Sequence, residues 1–457
     1  MPATYLIIKA PFTLLSHSEP PLSTQVVAEI SSGKVIDILA IDDRKYENEN
    51  CETLVLGEGE VLMPGLIDAH VHLNEPGRTE WEGFETGTKA AAAGGFTTVI
   101  DMPLNSIPPT TTVANFETKL AAARGKCWVD VGFWGGVIPG NQKELRPLVE
   151  RGVRGFKCFL IESGVEEFPC VKEEDVRSAL EELKGTGSIL LYHAEMEGDE
   201  EDQKAPPADS THYRTFLDSR PPALEVRAID LVCRLALESK VRSHIVHLSA
   251  AAALPQIRDY RSRGAPLTVE TCHHYLFFQS SAIPHGATQF KCCPPIRDEE
   301  NREQLWRALQ DGTIDYVVSD HSPCTGELKR LEEGDFVKAW GGIAGVQFGL
   351  SVLWTEARKR GHTLHNLLRW LAHEPAKQVG LVARKGAIFV SGDADFVIWR
   401  PESRLTVQKA DIHFKNKVTP YEGVELYGVV ERTVVRGRTA YERAEGFSTE
   451  PLGALIL

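Results

Sequence analysis

Short apolar runs alternate with helix-like segments through the middle of this 457-residue chain. Apolar runs of this length are typical of buried strands, and apolar spacing with glycine stops is typical of helices. The eight candidate strands are LMPGLIDAHVHL, FTTVIDMPL, CWVDVGFWGG, VRGFKCFLI, SILLYHAE, RSHIVHLSA, APLTVETCHHYL and TIDYVVSDHSP. The clearest helices between them are GFETGTKAAAAGG, PPALEVRAIDLVCRLALES and DEENREQLWRALQDG. This alternation predicts an α/β fold of the (β/α)8 barrel type.

A doubly wound parallel sheet has the same alternation of strands and helices. It often binds a dinucleotide through Gly-x-Gly-x-x-Gly at the start of a helix, and no such motif follows the first strand here. The barrel is therefore favoured.

The two ends of the chain have a different pattern, made of short β segments with Pro, Ser and Gly turns. Examples are TYLIIKA, QVVAEI and KVIDILAI near the start, and GAIFVSGDADFVIWRP and VELYGVVERTVVRG near the end. We expect these segments to pair into one small composite β-sandwich. The predicted division is residues 1–60 for its first part, residues 61–384 for the barrel, and residues 385–457 for its second part and the C-terminal tail.

Composition narrows the class of function. The 50 Lys and Arg residues against 64 Asp and Glu give a net charge of −14, without a basic block, which argues against nucleic acid or an anionic membrane as partner. The nine cysteines form no Cys-x-x-Cys pair, as expected for free thiols in a reducing compartment. The N-terminus resembles neither a signal peptide nor a spanning helix. We therefore expect a cytoplasmic protein.

Polar residues fall at the ends of several predicted strands, where the loops of a barrel form its active site. His70 and His72 close the first strand, and residues two apart on a strand share a face, so both imidazoles can reach one ion. His193 and His247 come late in the fifth and sixth strands, and Asp320 follows the eighth. This clustering predicts a metal site with Asp320 as ligand and general base.

Each candidate also has a simpler structural explanation. A single His-x-His can be hydrogen-bonded or exposed, and Asp320 can cap the following helix. Lys157, inside the fourth strand, is costly as a buried cation, so it must be neutral, modified or paired with a strand-end carboxylate. If its neutral amine takes up carbon dioxide, the resulting carbamate is an anionic oxygen ligand that can bridge two ions.

Longer blocks of sequence resemble the amidohydrolase superfamily of cyclic amidases, and within it the branch that hydrolyses allantoin. The blocks include PGLIDAHVHLNEPGRTEWEGFETGTKAAAAGG, DMPLNSIPPTT, RGFKCFLIESGVEEFP, LLYHAE, IVHLSA, ETCHHYL, FKCCPPIR and VVSDHSPCT. They cover nearly the whole chain, and the candidate ligands occur in the order that the family has.

The resemblance implies a binuclear centre of two divalent ions, usually zinc. In it, His70 and His72 bind the more buried ion, and His193 and His247 bind the more exposed one. Carbamylated Lys157 bridges the two, and Asp320 is a ligand that also transfers the proton. The implied reaction is attack of a metal-activated hydroxide on the hydantoin ring amide of (S)-allantoin, which gives allantoate in purine degradation. A homotetramer is also implied.

Differences within the superfamily select this substrate. Dihydroorotases carry an Arg two residues after the second His, where this chain has Asn74. Hydantoinases and dihydropyrimidinases place a Tyr shortly after the bridging Lys, and KCFLIESGVEEF contains none. We expect Asn74, Asn105 and the backbone near Cys292 to contact the substrate, although Asn105 can equally cap the loop after the second strand.

Two alternatives stay open. The first is a hydantoinase or dihydropyrimidinase that opens another cyclic amide. The second is a non-catalytic scaffold related to dihydropyrimidinase, in which metal ligands are often lost, whereas all six positions are filled here.

Overall fold

The computed structural model describes residues 3–198 and 209–457. Eight parallel strand positions form the predicted barrel, and all eight fall within the predicted runs. The barrel strands are β6 (Leu66–Val71), β7 (Phe96–Asp101), β8 (Asp130–Phe133), β9 (Gly135–Gly136), β10 (Phe156–Phe159), β11 (Ile189–His193), β12 (Arg242–Ile245), β13 (Leu267–Cys272) and β14 (Tyr316–Val318). β8 and β9 belong to one predicted run.

Pairing between neighbouring strands closes the barrel into a ring. β6, β7 and β8 form one parallel sheet, and β9 to β14 form another in sequence order. The continuous run through β8 and β9 joins the two sheets on one side, and a parallel bridge between Val71 and His321 joins them on the other. The first and eighth strands are therefore adjacent, as a closed barrel requires.

Helices connect the strands and cover the barrel. They are α1 (Phe84–Ala93), α2 (Val113–Ala123), α3 (Leu145–Arg151), α4 (Glu173–Leu183), α5 (Tyr213–Ser219), α6 (Pro222–Ser239), α7 (Leu254–Ser262), α8 (His273–Phe277), α9 (Glu299–Asp311), α10 (Gly326–Lys329), α11 (Gly349–Lys359), α12 (Leu364–Leu368) and α13 (Glu374–Gln378). The three helices predicted most clearly correspond to α1, α6 and α9. None of the helices of the described residues is long and apolar enough to cross a membrane.

Local chemistry explains where these helices begin and end. At the start of α9, the Asp298 side chain accepts a hydrogen bond from the Asn301 N–H, at 2.9 Å. At its end Gly312 has φ 81°, a left-handed conformation that glycine adopts without a Cβ clash. Helix α6 begins with Pro222, whose missing N–H has no partner in a first turn anyway.

The two ends of the chain form a single nine-stranded sheet. Its strands are β1 (Tyr5–Thr13), β2 (Leu22–Glu29), β3 (Lys34–Ala40), β4 (Cys51–Val55), β5 (Val61–Pro64), β15 (Phe396–Thr406), β16 (Glu425–Val435), β17 (Arg438–Glu442) and β18 (Gly446–Phe447). The N- and C-terminal halves meet where β5 pairs antiparallel with β15, with Leu62 opposite Ile398.

This terminal sheet has an apolar core of its own, separate from the large core of the barrel, with members from both chain ends such as Leu6, Val26, Phe396 and Val434. Strand β5 extends the sheet a few residues past the predicted boundary at residue 60. The division into domains stays a prediction.

Candidate metal centre

One cavity of about 250 Å³ contains all six predicted ligands in its lining: His70, His72, Lys157, His193, His247 and Asp320. They come from the carboxyl ends of β6, β10, β11, β12 and β14 and from the residues that follow these strands. In a barrel these ends converge on one face. Residues up to 250 positions apart in sequence therefore share one site.

His70, His72 and Asp320 form the tightest group in the cavity, because their possible ligand atoms lie within 4.8 Å of one another. Asp320 Oδ1 is 3.1 Å from His70 Nε2 and 3.3 Å from His72 Nε2. Burial raises the pKa of the Asp320 carboxyl, but His70 and His72 outweigh it and hold the pKa well below its usual value. Asp320 is therefore a carboxylate, the form that binds cations and accepts protons.

His193 and His247 form a second pair of imidazoles in the same cavity. The distance from His193 Nδ1 to His247 Nε2 is 3.0 Å, and the rings meet edge to face with centroids 4.7 Å apart. Burial lowers the pKa of His247 well below its usual value, and it lowers that of His193. Both rings are thus held neutral, which is the state that donates a lone pair to a metal.

Lys157 points into the same cavity and is almost fully buried. Burial lowers the pKa of its amine to about 8, against the opposing effect of Asp320 and Glu270. Within the described residues, its Nζ makes neither a hydrogen bond nor an ion pair, and it lies 5.1 Å from the Phe159 ring centroid. The carboxylate partner that would explain Lys157 as a structural ion pair is therefore not found in the described part of the chain.

The backbone is left-handed at four of the predicted site residues. φ is 61° at Asn74, 67° at Asn105, 38° at His247 and 43° at Asp320. Positive φ is unfavourable for residues with a Cβ, by roughly 1–3 kcal/mol, and it occurs most often at functional sites. The fold therefore maintains a costly backbone geometry at the positions that line or flank the cavity.

Glu270, which was not among the predicted site residues, contacts His70 from behind the cavity. Its Oε1 lies 2.5 Å from His70 Nδ1, and its Oε2 lies 3.1 Å from His244 Nε2. Burial raises the pKa of Glu270, but His70 and His244 outweigh it and keep the pKa well below its usual value. A carboxylate on Nδ1 makes that nitrogen the donor and leaves Nε2 facing the cavity as a metal ligand. An acid inside the apolar run TVETC was the available sequence clue.

Glu195 orients His193 in the same way that Glu270 orients His70, and it too was absent from the predicted site residues. Its Oε2 is 2.8 Å from His193 Nε2, and it accepts a hydrogen bond of 2.6 Å from the Arg220 guanidinium, which lines the cavity. With His193 Nε2 bonded to Glu195, its Nδ1 is the nitrogen that faces His247. The motif HAE, in which an acid follows the histidine at the next same-face position, was the clue to this pair.

The three predicted substrate contacts lie at different depths. Asn105 lines the cavity, and its Nδ2 is 3.4 Å from His72 Nδ1. Asn74 is buried behind the cavity lining, where its Nδ2 donates to Pro323 O at 3.3 Å. Cys292 is buried as well, while its neighbours Lys291 and Cys293 line the cavity. Burial raises the pKa of the Cys292 thiol well above its usual value, so this cysteine is not a thiolate nucleophile.

These side chains fit a divalent metal ion. His247 Nδ1 is buried without a hydrogen-bond partner among the described residues, and His70 Nε2 faces the Asp320 carboxylate at 3.1 Å. An unpaired buried nitrogen is costly in a folded protein unless it binds something, such as an ion. Imidazole nitrogens with a carboxylate form the donor set of hydrolytic metal sites. The cavity therefore has the donor set of a divalent metal centre.

The chain is similar to known proteins in both sequence and fold. Residues 61–440 match the model of the amidohydrolase family. The allantoinase of Saccharomyces cerevisiae is 48% identical over 94% of this chain and 95% of its own. The mitochondrial allantoinase of Aquarana catesbeiana is 56% identical over 77% of this chain and 72% of its own.

Among solved structures, the L-hydantoinase (dihydropyrimidinase) of Arthrobacter aurescens superposes with a TM-score of 0.91. It is 28% identical, and each chain is covered completely. The family match spans all the barrel strands and the positions of the six predicted ligands. The chain belongs to the amidohydrolase family.

Proposed function

We propose that this protein hydrolyses the hydantoin ring amide of (S)-allantoin to give allantoate. The observation that carries the proposal is the single cavity lined by His70, His72, Lys157, His193, His247 and Asp320. The substrate follows from the relatives named allantoinase, which match this chain over most of its length.

The metal would be a pair of divalent ions, and we propose zinc. His70, His72 and Asp320 would hold one ion, His193 and His247 the other, and Lys157 would contribute to both. Such ions lower the pKa of a bound water toward neutrality and polarise the carbonyl that is attacked.

Asp320 moves the proton in this reaction. Its carboxylate accepts a proton from the attacking water and then gives that proton to the ring nitrogen that leaves. His70 and His72 keep Asp320 ionised before the attack, because both imidazoles lie within 3.3 Å of its Oδ1. Asp320 has a left-handed backbone, with φ 43°, and its side chain lines the cavity.

Lys157 would act as a carbamate. In this modification the neutral amine attacks carbon dioxide, a C–N bond forms, and one N–H proton is released. The support is the buried position of Nζ in the cavity wall, without a carboxylate partner among the described residues. The product is an anion, which complements two nearby cations.

Substrate recognition would involve Asn105 and the backbone near Cys292, with Asn74 supporting the wall. Asn105 can donate from its amide to a carbonyl of the ring or of the ureido group. Asn74 at this place is uncharged, as suits a ring without a carboxylate. Arg220 and Lys291 add positive charge to the lining, which suits the allantoate anion that forms.

Turnover of allantoin and dihydrouracil on the same metal-loaded sample tests the proposal. We expect hydrolysis of allantoin, with metal content measured in parallel. If the protein hydrolyses dihydrouracil but not allantoin, it is a dihydropyrimidinase, the function named for the superposed L-hydantoinase.

A non-catalytic scaffold is tested by Asp320→Ala. We expect this variant to lose turnover while it keeps its fold by circular dichroism. An unchanged variant, together with less than one metal ion per chain, would favour the scaffold.

We further infer a homotetramer in the cytoplasm. The nine cysteines are all free in the structure, which supports a reducing compartment. Light scattering on the purified protein measures the assembly, and a monomer at micromolar concentration would contradict it.

A further inference from the structure

A second cluster of possible metal ligands lies on the surface, outside the catalytic cavity. It consists of Asp209, His212 and His285, whose possible ligand atoms all lie within 4.8 Å of one another. All three side chains are more than half exposed. None of them lines the catalytic cavity or takes part in the mechanism above.

The spacing of these atoms is close to that of a tetrahedral metal site. Asp209 Oδ2 is 3.6 Å from His212 Nε2 and 3.4 Å from His285 Nε2. In a tetrahedron with bonds of about 2.0–2.1 Å, neighbouring ligands are about 3.3 Å apart. His285 Nε2 also lies 2.7 Å from the Thr211 hydroxyl. An ion would therefore replace this hydrogen bond and the proton on Nε2, and rotation of the two imidazoles would bring all three atoms into its first coordination sphere.

The Asp209 carboxylate is already oriented for this role. Its other oxygen, Oδ1, accepts hydrogen bonds from the Thr211 N–H at 3.0 Å and from the Thr211 hydroxyl at 2.5 Å. Oδ2 is thus the oxygen that faces both imidazoles. Hydrogen bonds from the Thr211 hydroxyl and N–H, together with His285 and His212, lower the pKa of Asp209 to about 2, so this carboxyl is ionised. The group offers one negative charge and two imidazoles, a donor set that zinc accepts.

The cluster connects two separate segments that lead to the catalytic cavity. His212 immediately precedes α5, and Arg220 at the end of α5 lines the cavity. His285 lies in the loop that leads to Lys291, another lining residue. The backbone already joins the two segments, because the Gly286 N–H donates to Thr211 O at 2.9 Å. An ion at the cluster would hold both walls of the cavity in one position.

We propose that Asp209, His212 and His285 form a separate site for a divalent transition metal such as zinc. The site is distinct from the catalytic centre and does not depend on which substrate that centre hydrolyses. Its fourth ligand would be water, because the three residues are exposed. Its effect would be to stabilise the cavity wall rather than to take part in hydrolysis.

The test counts zinc per chain at buffered free-zinc concentrations, after the catalytic centre has been filled. The variants are His212→Ala and His285→Ala, which remove exposed side chains and so preserve the fold. The matched control is His365→Ala, which removes a histidine outside the cluster whose Nε2 lies 2.8 Å from the Glu19 carbonyl oxygen.

We expect wild type and His365→Ala to bind one ion more than His212→Ala and His285→Ala. Loss of a direct ligand should weaken this binding by at least the roughly 100-fold that loss of an outer partner can cost. Equal counts in all four proteins would overturn the proposal. So would an extra ion that binds only near a Kd of about 1 mM, the strength of a weak nonspecific contact of about 4 kcal/mol.

Discussion

Replacing Glu270 by glutamine removes the negative charge behind His70 while keeping the size of the side chain. In the structure, Glu270 accepts from His70 Nδ1 at 2.5 Å and faces His244 Nε2 at 3.1 Å. The amide can still accept from His70 through its oxygen. Its NH2 group must then face His244 Nε2, which already lies 3.0 Å from the Tyr316 hydroxyl. One charge-assisted bond therefore becomes a neutral one.

The loss of a charge-assisted bond behind His70 should weaken metal binding. Losing an outer partner of a metal-binding histidine typically costs about 10- to 100-fold in metal affinity, or about 1.4–2.7 kcal/mol. The neutral bond to His70 remains, so we expect the lower half of that range. The metal-free variant should also lose about 1–2 kcal/mol in free energy of unfolding, because a buried charge-assisted bond is weakened.

Competition with a chelator of known affinity measures the metal affinity, and guanidinium unfolding measures the stability. Asp395→Asn is the matched control, since it makes the same acid-to-amide change in a buried carboxylate that pairs with Lys385. That control should lose stability but keep its metal affinity. Wild-type affinity in Glu270→Gln, or an equal loss in both variants, would refute the role of Glu270.

Three further outcomes follow from the structure. Lys157→Ala should lose bound metal and at least about 100-fold in turnover, and short carboxylic acids should partly restore both. If the variant keeps its metal and the acids restore no turnover, Lys157 does not act as a carbamate. Burial lowers the pKa of Lys291 from 10.5 to about 8. Between pH 8 and 10.5 this lysine is therefore protonated in the unfolded chain but neutral in the folded protein, so the free energy of unfolding should rise with pH over that range. In urea unfolding at several pH values, Lys291→Met should lack this contribution to the rise. The same dependence of unfolding free energy on pH in wild type and variant would contradict the prediction. Deleting residues 453–457 removes three backbone hydrogen bonds, from Gly453 N–H to Cys127 O, from Val131 N–H to Ala454 O and from Ile456 N–H to Val131 O. At about 1 kcal/mol each, their loss should lower the free energy of unfolding by about 3 kcal/mol. An unchanged unfolding midpoint would show that the tail is dispensable.

The barrel and its ligands were predictable because their pattern is local. A histidine or aspartate at the end of an apolar strand, as at His193 or Asp320, differs from its neighbours in a way that needs no three-dimensional information. Eight such runs in order indicate the barrel, and the barrel brings their ends together.

The supporting residues were harder to predict because their partners are distant. Glu270 contacts His70, two hundred positions earlier, and only the register of β13 against its neighbours creates that contact. Left-handed backbone at His247 and Asp320 has no local cause such as glycine. The tertiary structure imposes it, so neither residue type nor spacing reveals it.

The pairing of β5 with β15 also has a consequence for how the chain folds during synthesis. Strands β1 to β5 leave the ribosome early, but β5 meets its partner β15 only after the whole barrel has been made. Until then the nascent chain carries an unpaired strand edge next to an incomplete apolar core, and both features promote aggregation. A chaperone that binds the emerging N-terminal strands should therefore raise the yield of folded protein more than one that acts on the finished chain.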